Sequence, residues 1–192
     1  ATRADRSTSE GLVTAVAHGD KVTIIELNTE TDFVAKNERF IALADKVLDA
    51  AAAAGAESAE AALAAPSTGS GTGSGTVAEL IADEAAIIGE KVELRRVRTL
   101  SGDNFEVYLH RTSKDLPPQI GVVVAYTGDD ADTARSIAQH ISFANPSFLS
   151  KDDVPAAEIE KEREIVTKIS LEEGKPEAAL PKIVEGRVNA FI

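Results

Sequence analysis

The chain has 192 residues, 43% of them hydrophobic, and a formal net charge of −12, which describes an acidic globular protein with length for one substantial core or two small ones. Having no cysteine, it has no disulfide, thiolate catalyst or cysteine-ligated zinc, and no apolar run approaches the ~20 residues of a membrane-spanning helix. The charge is spread out, with 12 basic and 19 acidic side chains in residues 1–118 and 8 and 13 in residues 119–192, so no basic face for direct nucleic-acid binding is implied.

Residues 1–10 read as a polar lead-in, and a chain that opens on Ala1 and holds no methionine reads as a piece of a longer product. Leu12, Val13, Ala15 and Val16 predict a strand, His18-Gly19-Asp20 a turn, and Val22, Ile24, Ile25 and Leu27 a returning strand with one extra apolar residue. Asn28 to Thr31 suit a tight connection. Thr31 is an N-cap candidate, with Asp32 in the first turn where a carboxylate meets the positive end of the helix dipole. A single helix is expected from Thr31 to Ala54, with Phe40, Ile41, Ala44, Val47, Leu48 and Ala51 facing the core and Gly55 as its C-cap. Phe33 fits that stripe poorly. It either staples the joint or projects outwards, and spacing leaves both roles open.

Residues 57–65 suit a further short helix, and the Gly/Ser/Thr-rich run within 66–76 reads as a flexible linker. It lacks the Lys-Ser/Thr of a phosphate loop, and no strand precedes it. Val77 to Ile88 resumes a helix ended by Gly89. Val92, Leu94 and Val97 then form a strand expected to pair with Phe105, Val107 and Leu109 across the Ser101–Asn104 turn, with Arg95, Arg96 and Arg98 on a solvated, salt-bridged face. Pro117-Pro118 marks the expected boundary between subdomains, 1–118 and 119–192. Ile120 to Tyr126 is apolar enough for a central strand buried on both faces. Asp129 and Asp130 suit the cap of a helix from Ala131 to Phe143, which carries His140 as a core-edge residue without a second metal ligand at helical spacing. Two charged helices, Ala156–Leu171 and Glu177–Ile192, complete the chain, and the first has too narrow an apolar stripe to fold alone. The expected fold class is α+β: two subdomains, each a small, mainly antiparallel sheet packed with helices, followed by the start of a helical extension near 175–192.

Thr31-Asp32-Phe33-Val34-Ala35-Lys36, set between Glu26-Leu27-Asn28 and Phe40 with Ala44-Asp45-Lys46-Val47, resembles the signature of the translation elongation factor Ts family. Ile88-Gly89-Glu90-Lys91, Leu94-Arg95-Arg96-Val97, Ile120 to Val124, Ile137 to Ile141, Asp152 to Pro155, Glu173 to Pro176 and Lys182 to Arg187 recur in the family's order, so the resemblance covers nearly the whole chain. It implies a cytoplasmic guanine-nucleotide exchange factor for elongation factor Tu, binding its GDP-bound and nucleotide-free forms, with no cofactor, no metal and no enzymatic active site of its own. It also implies that Thr31, Asp32, Phe33 and Val34 dislodge the partner's Mg2+, with Ile120, Gly121 and His140 as further partner contacts. A small helical domain ahead of residue 1 and a return of the chain after Ile192 are implied as well, as is a homodimer through the helical extension of the full-length protein. The residues alone leave two other classes open. A scaffold or dimerisation module is one, and an unrecognised hydrolase is the other, although no nucleophile elbow, zinc motif or Walker loop is present and Asp129-Asp130 and Asp152-Asp153 are explained as caps.

Overall fold

The alternation of apolar residues from Leu12 to Leu27 produces an antiparallel hairpin of β1 (Glu10–His18) and β2 (Lys21–Thr29), closed by Gly19 and Asp20. The computed structural model describes residues 2–67 and 75–191. Backbone packing divides the chain into two units, Ala1–Ala144 and Asn145–Ile192.

In the first unit β3 (Glu93–Ser101) pairs with the free edge of β2, giving a three-stranded antiparallel sheet in the order β1-β2-β3. The register slips where Glu26 faces Arg96 but Leu27 faces Leu94, so Arg95 is the extra residue of a bulge. Leu12, Ile25, Leu27, Leu94 and Val97 present one face of this sheet to the helices α2 (Glu38–Ala54), α3 (Ala59–Ala64) and α4 (Val77–Ile88). Aromatics are too few to fill this core, and among the described residues Phe40 is the only one with a fully buried side chain. Leu43, Ala44, Val47, Ala51, Val77 and Ile81 supply most of the rest.

Three expectations are corrected here. The helix expected to run unbroken from Thr31 is two: a single turn, α1 (Asp32–Ala35), and then α2, because Asn37 adopts extended backbone and its side chain accepts from the Arg39 amide at 2.8 Å, capping a fresh start. The strand after β3 does not pair back on it. At the corner the Gly102 amide donates to the Asp20 carbonyl at 3.0 Å, pinning the end of β3 beside the first hairpin, and β4 (Asn104–His110) leaves to pair with β5 (Ile120–Tyr126) in a separate two-stranded sheet. Finally, β5 is not a central strand buried on both faces. Its only strand partner among the described residues is β4, and Val122, Val123 and Val124 stay half-buried. Its continuous apolar run has another cause, since it packs against both β1 and α5 (Ala131–Ala144). Pro117-Pro118 lies within the first unit, on the connection between β4 and β5, where the Val13 amide donates to the Pro118 carbonyl at 2.8 Å.

The linker expected over 66–76 lies for the most part outside the described residues, but its ends are placed. Pro66 and Thr76 form an antiparallel bridge, and the Ser67 amide donates to the Gly75 carbonyl at 2.9 Å. In the second unit α6 (Ala156–Glu172) packs on α7 (Leu180–Phe191) through Ile159, Val166, Val184 and Val188, the support that its narrow stripe required. Arg163 pairs with Glu185 and Arg187 with Glu173 across that seam.

Candidate functional site

The joint between β2 and α1 is built by hydrogen bonds and presents one aromatic ring to solvent. Thr31 adopts extended backbone, and its hydroxyl accepts from the Val34 amide at 3.4 Å, as an N-cap should. In the one-turn helix that follows, Ala35 is fully buried and Val34 packs against the core. Successive helical side chains are rotated by about 100°, so anchoring Val34 and Ala35 turns Phe33 away from the core. It is 72% exposed, and the Lys36 ammonium sits 5.1 Å from its ring centroid. Of the two roles left open for Phe33, the geometry is that of an outward projection. Asp32, beside it, is exposed as well.

Glu90, expected beside the arginines of a salt-bridged sheet face, instead secures this joint. α4 ends at Gly89, whose φ of 85 is a left-handed conformation natural to glycine, and that turn delivers Glu90 to the end of β2. Its Oε2 accepts from the Thr29 hydroxyl at 3.2 Å, the Glu30 amide at 3.0 Å and the Thr31 amide at 2.9 Å, and its Oε1 accepts from the Thr31 hydroxyl. Glu30 returns the contact, its carboxylate accepting from the Lys91 amide at 2.7 Å and lying 3.5 Å from Arg6. The polar lead-in is thereby tied down beside the joint, and the Lys91 ammonium donates to the Ala4 carbonyl at 2.9 Å.

The remaining candidates lie on the other sheet and on α5. Ile120 opens β5 and is partly exposed. Gly121 is occupied structurally: a Cβ there would lie 2.4 Å from Val13 Cγ1 and 2.8 Å from Ile24 Cδ1, so glycine is what lets β5 approach the three-stranded sheet. His140 is exposed on α5, in a shallow groove with Asp132, Thr133, Ser136 and Ile137, rather than at the edge of a core. Phe143 on the same helix is 83% exposed. Asp130 caps α5 as expected, accepting from the Thr133 amide at 2.9 Å and the Thr133 hydroxyl at 2.6 Å. Among the described residues no group of three or more His, Cys, Asp or Glu side chains could hold a metal ion, and no helix is long and apolar enough to cross a membrane.

A family model described as Elongation factor TS matches residues 30–192. The chain is similar to proteins named Elongation factor Ts from Leifsonia xyli subsp. xyli, at 66% identity over all of this chain and 68% of that protein, and from Clavibacter michiganensis subsp. michiganensis, at 63% with the same coverage. The protein of that name from Tropheryma whipplei is 51% identical over 97% of this chain and 66% of its own length.

Proposed function

The chain belongs to the elongation factor Ts family of translation elongation factors, and from that premise we propose that it is the guanine-nucleotide exchange factor for elongation factor Tu, acting in the cytoplasm by protein contact rather than as an enzyme. The observation that carries this reading is the braced joint with Phe33 exposed at its tip and Asp32 at its side. A large apolar ring held out of the core is a natural anchor for a partner pocket, because it brings contact area at little conformational cost.

In the proposed mechanism Thr31, Asp32, Phe33 and Val34 form a wedge that enters between two helices of the partner's nucleotide-binding domain. Such sites tolerate little distortion of the groups that hold Mg2+, an ion that would supply charge neutralisation to the phosphates, so a wedge that shifts those elements would loosen GDP. The factor and the nucleotide then weaken each other's binding by the same coupling energy, and incoming nucleotide expels the factor. Ile120 and His140, both exposed, are proposed as a second contact, with Gly121 serving the packing behind them.

The test is release of labelled GDP from elongation factor Tu with and without the chain, at rising factor concentration. Saturable acceleration is expected, and its absence would overturn the reading. A self-association role is favoured by one observation on the helix that precedes the extension: Ile165, Ile169 and Leu171 are exposed on α6. Sedimentation at rising concentration tests it, with a monomer throughout as the contrary result.

A further inference from the structure

Phe33 presents a mechanical problem. A ring that is 72% exposed cannot be aimed by packing, so its direction is inherited from the backbone of α1. That helix is a single turn, held by backbone bonds from Ala35 to Thr31 and from Lys36 to Asp32, both 3.1 Å. A turn this short has little cooperativity of its own, and its orientation follows from whatever fixes its ends: Val34 and Ala35 seat on the core at one, and Thr31 is held at the other.

What fixes Thr31 is Glu90. The Thr31 hydroxyl has one proton, which it donates to Glu90 Oε1, and this leaves its lone pairs directed at the Val34 amide. Its amide is held by Oε2 of the same carboxylate, together with the Glu30 amide and the Thr29 hydroxyl. Among the described residues Glu90 forms no ion pair, so its charge is satisfied by these four donors, and bonds of this kind to an ionised acceptor are the strong ones. The reciprocal bond from the Lys91 amide to Glu30 makes the brace two-way.

We propose that Glu90 is a positioning residue for exchange: by accepting from Thr29, Glu30 and Thr31 it sets the direction of the one-turn helix and so aims Phe33. This deepens the exchange reading and rests on it. Glu90 need not touch the partner. Its effect is felt in how well the wedge is presented, which governs the rate of GDP release from the formed complex more than the formation of that complex.

The experiment measures GDP release from elongation factor Tu against factor concentration for Glu90→Ala, Glu90→Gln, Phe33→Ala and the Glu90→Ala/Phe33→Ala double variant, with thermal unfolding of each. Glu90→Ala is expected to lower the maximal rate at saturation by about tenfold, within the ~100-fold that a misplacement of about 1 Å can cost. The double variant should be no slower than Phe33→Ala alone, because a brace has nothing to aim once the ring is gone. Glu90→Gln should recover much of the rate, since its amide oxygen can keep the three donors of Oε2. A merely structural role would instead reduce the folded fraction, shifting the half-saturating concentration and leaving the maximal rate intact. That result, or additive losses in the double variant, overturns the proposal. If Glu90→Ala does not fold, Glu90→Asp, which withdraws the carboxylate by one methylene, must show the same non-additive loss, and a normal rate there is equally fatal. A normal rate for Phe33→Ala overturns the wedge itself and Glu90's part in exchange with it, whereas an impaired Phe33→Ala beside an unimpaired Glu90→Ala overturns only the role given to Glu90.

Discussion

Phe33 and Gly121 carry opposite expectations, one for partner contact and one for packing. Phe33→Ala removes an exposed ring, so the melting temperature should stay within a few degrees while GDP release slows at least about tenfold, or roughly 1.4 kcal/mol of transition-state stabilisation. Normal stability together with normal exchange would remove the wedge assignment. Gly121→Ala places a methyl against Val13 and Ile24, and chemical denaturation should show a loss of about 1–3 kcal/mol from overpacking. An unchanged midpoint would mean that those side chains yield freely. The Thr31 cap and the first-turn acid Asp32 were legible from neighbouring residues, and their place in a partner contact came from the family resemblance alone. The direction of Phe33 was not legible, since it depends on Val34 and Ala35 taking the core-facing positions of a helix that ends one turn later. Glu90 was illegible for a different reason. It stands 59 positions from Thr31, and no local periodicity links an acid at the end of α4 to the amides after β2.

Among the elements, most of those written in local chemistry were read correctly, the Asn37 cap that divides α1 from α2 being the exception, and those decided by partner choice were not. The first hairpin, the apolar stripe of α2, the glycine ends of α2 and α4 and the aspartate cap of α5 all follow from neighbouring residues. The pairing of β4 with β5 does not. Alternation marks a strand and leaves its partner undetermined, and the Ser101–Asn104 segment suits a corner between sheets as well as a hairpin. The cap of α5 makes a prediction in pH. The Thr133 hydroxyl, and after it the Thr133 amide, hold the exposed Asp130 carboxyl below the usual carboxylate range. A lowered folded pKa means that the cap's contribution is present above the unfolded pKa and is lost as pH falls through the folded one. Acidification should therefore release the Thr133 amide and fray the first turn of α5 below the pH at which free aspartate titrates. Following the Thr133 amide resonance through an acid titration checks this. In Asp130→Asn that resonance should lose its low-pH step, and persistence of the step would assign it to another group.

For the molecule as a whole, the two units differ sharply in the means to stand alone. The first builds a continuous core across a sheet and three helices, from Leu12 to Val97. Among the described residues the second buries Val166, Val184 and Val188 and little else that is apolar, between helices whose outer faces are charged. Each fully buried valine contributes about 1.5–3 kcal/mol, whereas every ordered residue costs about 1–2 kcal/mol of backbone entropy. The Arg163–Glu185 and Arg187–Glu173 pairs lie at partly exposed positions, where such pairs contribute at most about 1 kcal/mol each. A peptide of residues 145–192 should accordingly show little helix by circular dichroism at 25 °C and no cooperative melting. Within the intact chain, the amides of α6 and α7 should exchange with solvent well before those of β2 and α2, because the smaller core opens at lower free energy. Sharp, cooperative unfolding of the isolated peptide would show that the helical pair is stabilised by more than its three valines, with self-association through Ile165, Ile169 and Leu171 the first source to examine by repeating the melt at rising concentration.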